Sequence, residues 1–310
     1  MPSLGLLRAN MVLTVFAIFG VLFALLFLVH LLYPFSLYLV LALTMGIVLL
    51  QWAIAPSIIA WGTKLRYLSP GEYPWLEEEV SNLAKEAEVP MPRLAIVENP
   101  APNAFVFGRT RASSTLAVHT GLLNALSREE VRAVLAHEVG HLRHNDVAVM
   151  TFASAIPLLA YMLFYSFLFG GRRDRDAGGM ALLAMLAFAV YIVTQLLVLK
   201  LSRSREFFAD AYSASSTHRP RWLARALAKI TLGNAARGGS NPGTARAFYI
   251  ADPQAARSNL EELRGHGAEI GVEDRLIERV LREERGRGWD IFSTHPSTYK
   301  RIRHLLELEK

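Results

Sequence analysis

Long stretches without charged residues dominate the hydrophobic pattern of the first two thirds of the chain. Residues 9–63 contain no Asp, Glu, Lys or Arg, and this run of 55 residues is long enough for two membrane spans of about 20 residues each. A turn is predicted between these two spans at Tyr33 and Pro34. Two further charge-free runs cover residues 147–171 and 177–199. The pattern therefore predicts four transmembrane helices.

The segments outside these spans carry the patterns of amphipathic helices and short strands. Apolar residues recur at helical spacing over residues 71–89, and Pro90 and Pro92 end that pattern. Short apolar runs, separated by polar turn residues, predict a small antiparallel sheet. Its strands are predicted at residues 93–97, 104–107 and 115–120. The fold is thus predicted to be mainly α-helical with a small antiparallel β-sheet.

Helices are also predicted on both sides of the second pair of spans. Ser127 and Glu130 form a capping-box pattern, in which each side chain binds the backbone amide of the other residue at the start of a helix. The helix that follows has an apolar stripe and a polar face, which is typical of a helix outside the membrane. Further helices are predicted at residues 205–213, 222–232, 273–284 and 296–308.

Charge and cysteine content narrow the classes of function. The formal net charge of +6 suggests a nucleic-acid partner, but the basic residues are scattered or lie beside the predicted spans, where contact with lipid headgroups explains them better. Those beside the spans include Lys64, Arg66, Lys200, Arg203 and Arg205. We therefore expect the lipid bilayer, and not nucleic acid, as a partner. Because the chain has no cysteine, any metal site has to use nitrogen and oxygen ligands.

The His-Glu-x-x-His sequence at residues 137–141 is the clearest chemical signal in the chain. Residues four apart on an α-helix are displaced by only about 40° and about 6 Å, so the imidazoles of His137 and His141 can face one metal ion. Glu138 then lies beside this pair, where it can act on a water molecule at the metal. This spacing is typical of zinc peptidases. The alternative interpretation is two hydrogen-bonded histidines on one helix face.

A catalytic zinc requires a third protein ligand besides these two histidines. His144 lies on the same helix face, but it is about 7.5 Å along the axis from the level midway between His137 and His141, where the metal would lie, and this is too far. Glu206 and Asp210 are four residues apart on a predicted helix, so Glu206 can bind the metal while Asp210 accepts a hydrogen bond from a ligand histidine. The alternative is a solvated acidic face beside Arg203 and Arg205. The His-Glu-x-x-His motif in the same chain favours the metal site.

Several segments in a fixed order resemble one known family. Besides the two pairs of spans and the His-Glu-x-x-His motif, they comprise residues 102–105, residues 205–210, and residues 293–297 followed by Arg301. Together these segments resemble the HtpX-like integral-membrane zinc metalloproteases, which are relatives of the multi-span CAAX prenyl proteases. The resemblance covers most of the chain. It implies a gluzincin-like zinc metalloprotease domain with one Zn²⁺ per chain, Glu206 as the third ligand, and a catalytic face in the cytoplasm.

The same resemblance implies which residues lie near the substrate. Asn103, Ala104 and Phe105 are expected at or near a strand that faces the substrate, and His295 and Arg301 are expected to close the site. The structural alternatives are that Asn103 only serves a turn and that His295 only caps the last helix.

These assignments give four segments along the chain. Residues 1–66 are predicted to form the first two transmembrane helices, and residues 147–201 the third and fourth. Residues 67–146 form the first part of the metalloprotease domain, with the sheet and the His-Glu-x-x-His helix, and residues 202–310 form its second part with the third ligand. Because two spans separate the parts, both lie on the same side of the membrane.

The expected activity is hydrolysis of peptide bonds, with Glu138 as the base, in misfolded or damaged proteins of the cell membrane. Unfolded proteins and membrane proteins are the expected substrates. One alternative is a protease that processes a single lipid-modified or terminal motif. Another is a non-catalytic membrane module with structural zinc, but such a site has no use for Glu138. An intramembrane protease would need the motif inside a transmembrane span, and the charged residues around the motif argue against this.

Overall fold

The structure is a computed structural model that describes residues 4–32, 37–169, 177–236, 277 and 293–309. The chain divides into two compact units. The unit that we call the sheet unit contains residues 55–147 and 205–310, and the helical unit contains residues 2–54 and 148–204.

Long helices and short strands follow one another along the described chain. The helices are α1 (Leu4–Leu32), α2 (Leu37–Thr63), α3 (Pro74–Glu86), α4 (Thr120–Ala125), α5 (Arg128–Arg143), α6 (Asp146–Phe169), α7 (Ala177–Thr217), α8 (Pro220–Ala236) and α9 (Thr298–Glu307). The strands are β1 (Arg66–Tyr67), β2 (Arg93–Val97), β3 (Ala104–Phe107) and β4 (Thr115–His119).

Four of these helices, α1, α2, α6 and α7, are long and apolar enough to cross a membrane, which confirms the four predicted spans. Within the helical unit, α1, α6 and α7 share a buried core that includes Leu25, Leu163 and Ala187. Other large apolar side chains point outward, such as Phe16 and Phe169, which are 72% and 73% exposed. Such an apolar outer surface is expected where lipid surrounds the helices.

The sheet has the strand order β1-β2-β4-β3 and is mixed. β1 pairs with β2 and β3 pairs with β4 in antiparallel fashion, but β2 and β4 are parallel. The prediction of a wholly antiparallel sheet is therefore wrong for this central pair. The physical reason is the path of residues 98–103, which connect β2 to β3 and leave room for one strand between them. β4 then fills this position and pairs with both. Among the described strands, β3 thus lies at an edge.

Both faces of the sheet are buried. On one face, Leu116 of β4 belongs to a core that it shares with α3, α5, α8 and α9. These helices contribute the fully buried Leu83, Leu135, Leu227 and Ile302. Each such side chain stabilises the fold by about 1.5–3 kcal/mol relative to an exposed one, so this core fixes the helices against each other. The opposite face carries a smaller cluster formed by Ala95, Val97, Phe105, Phe107 and Ala117.

The local predictions for the sheet unit hold within a few residues. The Ser127 hydroxyl accepts a hydrogen bond from the Glu130 amide at 3.3 Å, and the Glu130 carboxylate accepts one from the Ser127 amide at 2.9 Å, which confirms the capping box at the start of α5. The predicted helix at residues 205–213 is the end of α7, which runs for 41 residues. The predicted turn at Tyr33 and Pro34, and the predicted helix at residues 273–284 apart from Ile277, lie outside the described residues.

Candidate metal centre

Two histidines of α5 face each other through their Nε2 atoms. His137 and His141 are one helical turn apart, and their Nε2 atoms are separated by 3.2 Å. Their ring planes are nearly perpendicular, at 85°. His137 is buried and His141 is partly buried. The spacing of the motif therefore brings both nitrogens to one point, as expected for helical residues four apart.

Glu206 of α7 completes a cluster of three residues. Its Oε1 lies 3.5 Å from His141 Nε2, and its Oε2 lies 3.8 Å from His137 Nε2. One candidate ligand atom from each residue lies within 4.8 Å of the other two. Glu206, Arg205 and Asp210 are all buried. The alternative of a solvated acidic face is therefore wrong for this segment.

A glycine in the motif allows α5 and α7 to approach closely. A Cβ atom at Gly140 would lie 3.1 Å from Tyr212 Cδ1 and 3.3 Å from Ala209 Cα, which is closer than ordinary van der Waals contact. A larger side chain at this position has to displace Tyr212 or separate the two helices. Gly140 thereby contributes to the short distances between Glu206 and the two histidines.

Each histidine is oriented by its own aspartate. His137 Nδ1 lies 2.9 Å from Asp210 Oδ1, and His141 Nδ1 lies 2.7 Å from Asp146 Oδ2. Because a carboxylate only accepts hydrogen bonds, each neutral imidazole carries its proton on Nδ1 and has a lone pair on Nε2. Burial lowers the pKa of His137, which favours this neutral form.

The donor atoms fit a divalent transition metal. Two Nε2 lone pairs 3.2 Å apart cannot hydrogen-bond to each other, so their convergence favours a shared cation. Tetrahedral zinc with Zn–N bonds of about 2.0–2.1 Å holds two nitrogen ligands roughly 3.3 Å apart, close to this separation. Two imidazoles and one carboxylate also match the three protein ligands of a catalytic zinc site.

Arg301 of α9 contacts two acidic residues of the cluster. Its guanidinium is 1% exposed and donates two hydrogen bonds to Asp210, of 2.6 and 2.9 Å. Its Nη1 lies 3.1 Å from Glu206 Oε2, and the Nδ1 of His295 lies 3.2 Å from the same oxygen. Burial lowers the pKa of Arg301, but the carboxylates of Asp210 and Glu206 raise it by more, so Arg301 stays charged. The structure therefore places both residues of the C-terminal segment beside Glu206.

Sequence reasoning misses a second Asp–Arg pair. Arg205 forms a buried ion pair with Asp146, and its Nη2 donates a hydrogen bond of 2.7 Å to the carbonyl oxygen of His144. Asn145 has a left-handed conformation, with φ of 61°, which ends α5 and turns Asp146 back toward His141. The sequence signal for this role is an aspartate five residues after His141, at the start of the next helix, α6. The predicted place of Arg205 at the lipid surface is wrong.

Glu138 lies buried beside the cluster, with 3% of its surface exposed. Burial raises its pKa to about 7, and repulsion by the carboxylate of Glu206 acts in the same direction. The charge of Arg301 and a hydrogen bond from the backbone of Val106 oppose this rise. In the metal-free protein the carboxyl group of Glu138 therefore binds its proton more tightly than an exposed glutamate does.

The three predicted substrate residues lie at different places relative to α5. Ala104 and Phe105 belong to β3, the strand that packs against α5. The side chain of Ala104 lies in the core that includes α5, whereas that of Phe105 lies in the cluster on the opposite face of the sheet. The Asn103 carbonyl oxygen accepts a hydrogen bond of 2.9 Å from the His119 amide. The structure thus does not bring the Phe105 side chain to the metal centre.

Comparison with known proteins identifies the family. Residues 70–309 match peptidase family M48. The chain belongs to this family. The M48 chain is also 38% identical to a protease HtpX homolog of Aeropyrum pernix over 282 residues, which cover 85% of this chain and 83% of the relative. A protease HtpX homolog of Thermoplasma acidophilum is 33% identical over 310 residues, with 95% and 94% coverage.

The fold of this M48 protein is also similar to a solved structure. A crystal structure of S. mikatae Ste24p aligns with a TM-score of 0.54 and 19% sequence identity. The alignment covers 96% of this chain and 65% of the Ste24p chain. At this identity the similarity concerns the fold alone. Together with the four apolar helices, the family relationship makes this chain an HtpX-like, multi-pass membrane metalloprotease and confirms the resemblance seen in the sequence.

Proposed function

We propose that this M48 protease is a zinc metalloendopeptidase that cleaves unfolded or damaged membrane proteins at the cytoplasmic face of the cell membrane. The observation that carries the zinc assignment is the convergence of the Nε2 atoms of His137 and His141 with an oxygen of Glu206, next to the buried Glu138. These three residues would hold one zinc ion per chain. When bound, zinc supplies Lewis acidity, which activates water and polarises the scissile carbonyl.

Glu138 is the proposed general base. Its buried carboxylate, beside the histidine pair, can accept a proton from the attacking water and donate it to the leaving amine. The backbone hydrogen bond from Val106 links this carboxylate to β3. The proposed base therefore contacts β3 at the edge of the sheet.

The proposed substrate class is supported by the position of β3 at the sheet edge. An extended peptide that pairs with an edge strand is bound mainly through its backbone, so recognition depends little on sequence. Asn103, Ala104 and the backbone of Phe105 are the proposed contacts. A folded protein rarely offers an extended segment with unpaired backbone groups, so this mode of binding selects unfolded regions.

A cleavage survey tests this proposal. The wild-type chain and the Glu138→Gln variant are reconstituted in liposomes with several unrelated membrane proteins, each in a folded and an unfolded form. We expect the wild type to cleave most of the unfolded forms and few of the folded ones, and the variant to bind zinc but cleave none. Cleavage of a single lipid-modified or terminal motif would replace the proposal with a processing protease. A zinc-loaded wild type without any peptidase activity would refute it.

The cytoplasmic orientation has a separate test that uses the absence of cysteine in the chain. The exposed Glu78 of α3 is replaced in the variant Glu78→Cys, and intact cells are treated with a membrane-impermeant maleimide. We expect labelling only after the membrane is permeabilised. Labelling of intact cells would place the sheet unit on the other side.

A further inference from the structure

The metal centre has two Asp–Arg pairs, one behind each histidine. Asp210 accepts a hydrogen bond from His137 Nδ1 and is paired with Arg301. Asp146 accepts one from His141 Nδ1 and is paired with Arg205. All four charged side chains belong to residues that are 8% exposed or less. The sequence predicts a role for the first aspartate only.

We propose that Asp146 is a positioning residue for His141, and that Arg205 holds Asp146 in place against the helix that carries the third ligand. The hydrogen bond from His141 Nδ1 to Asp146 fixes the rotation of the imidazole and its tautomer, so that Nε2 keeps its lone pair toward the metal site. A carboxylate acceptor also makes the imidazole a stronger metal ligand.

Arg205 adds a connection between the two ligand helices. It directly precedes Glu206 in α7, and its Nη2 contacts both the carboxylate of Asp146 and the carbonyl oxygen of His144 at the end of α5. The end of α5 is thus tied to the residue before the third ligand. A planar guanidinium has several N–H donors in a fixed arrangement, so it can bind a carboxylate and a carbonyl oxygen at the same time. The single ammonium group of a lysine would not make both contacts equally well.

This inference rests on the proposed zinc site, and the two can fail separately. A wild-type chain that binds no zinc would refute the site itself. A wild-type chain that binds zinc, compared with variants of the pair, tests the role of Asp146. The readouts are the zinc dissociation constant, measured by competition with a chelator, and the visible absorption spectrum after zinc is replaced by cobalt(II), which responds to ligand geometry. Neither readout depends on peptidase activity.

The first variant is Asp146→Asn, in the full-length chain in detergent. We expect zinc to bind about 10–100-fold more weakly than in the wild type, the usual effect of losing a carboxylate behind a ligand histidine. The cobalt spectrum is expected to change as well. A second variant, Arg205→Lys, keeps the positive charge. It is also expected to bind zinc more weakly than the wild type, but by a smaller factor than Asp146→Asn.

Glu130→Gln is the matched control. Glu130 is a 1% exposed carboxylate on the same helix α5, and it is paired with Lys229 at 2.8 Å, outside the metal centre. If the pair of Asp146 and Arg205 were merely structural, Asp146→Asn and Glu130→Gln would change zinc binding and the cobalt spectrum equally. We expect the control to leave the zinc dissociation constant and the cobalt spectrum unchanged.

Two results would overturn the proposal. One is a folded Asp146→Asn variant with the zinc affinity and the cobalt spectrum of the wild type. The other is an equal loss of zinc affinity in Glu130→Gln. If Asp146→Asn cannot be recovered as a folded protein, Arg205→Lys decides, and unchanged zinc binding in that variant overturns the proposal.

Discussion

The Nε2 atom of His137 lies 3.2 Å from the Nε2 atom of His141, and neither nitrogen carries a proton that it could donate to the other. The two lone pairs repel each other in the absence of a cation. Asp210 and Asp146 nevertheless hold both rings in this arrangement through their Nδ1 atoms. The cluster is therefore preorganised, and we expect metal binding to relieve the repulsion without a large movement of either ring.

Removal of zinc is expected to abolish peptidase activity and to lower the thermal stability of the chain. A ligand that binds only the folded state stabilises it by about 2.7 kcal/mol when its free concentration is 100 times its dissociation constant. Thermal unfolding in detergent, with and without a chelator, measures this difference. Zinc is expected to restore both activity and stability, whereas magnesium is not, because magnesium prefers oxygen ligands. Full activity after complete removal of zinc would contradict the prediction.

Larger side chains at Gly140 are expected to weaken zinc binding in order of their size. A Cβ atom at this position would lie 3.1–3.3 Å from its nearest neighbours, so Gly140→Ala should have a modest effect. Gly140→Val should separate α5 from α7 and destabilise the protein by about 1–3 kcal/mol. Chelator competition and thermal unfolding measure the two effects. Gly62→Val is the control, since a Cβ atom at Gly62 meets no atom within 4 Å. Equal zinc affinity in both valine variants would refute the packing argument.

The metal-free protein is expected to lose stability as the pH rises, because of Glu138. Its pKa is raised in the folded state from 4.5 to about 7, so the folded protein binds the proton more tightly than the unfolded chain. The stabilising contribution is complete below pH 4.5 and is lost as the pH rises through about 7, a change of roughly 3 kcal/mol. The difference in unfolding free energy between wild type and Glu138→Gln, measured from pH 4 to pH 8, isolates this group. A constant difference across that range would contradict the assigned pKa.

Replacing Arg301 by leucine is expected to destabilise the sheet unit strongly. Asp210 and Glu206 would then remain buried without the guanidinium that compensates their charges, and removing one partner of a buried pair typically costs about 3–5 kcal/mol. Arg303→Leu on the same helix is the control, because its ion pair with Glu307 is exposed and is expected to contribute less than about 1 kcal/mol. Thermal unfolding of both variants in the absence of zinc measures the contrast. Similar stabilities of the two variants would rule out the charge-compensating role.

The parts of the structure that depend on local spacing could be predicted from the sequence. The capping box of Ser127 and Glu130 fixes the start of α5, and the four-residue spacing of His137 and His141 fixes their common face. The charge-free runs predict the four apolar helices, because a single span needs a run of known length. The pairing of Glu206 with the histidines does not follow from spacing alone, because it depends on the motif, which requires a third ligand, and on the resemblance to the HtpX-like family.

The parts that depend on chain reversals could not be predicted in this way. Whether β4 lies beside β2 or beyond β3 is decided by the path of residues 98–103, on which hydrophobic alternation carries no information. Asp146 and Arg205 look like ordinary charged residues near membrane spans, because their pairing requires the left-handed turn at Asn145. For Phe105, alternation predicts that its side chain and that of Ala104 point to opposite faces, but not which face meets α5.

The contacts of Arg301 make the charge balance of the ligand cluster depend on the C-terminal part of the chain. A nascent chain that has already exposed both histidines and Glu206 still lacks the cation that offsets Asp210 and Glu206. We therefore expect a chain without residue 301 to lack peptidase activity. Truncation before the last helix would then silence the metal centre even when all three ligands are present.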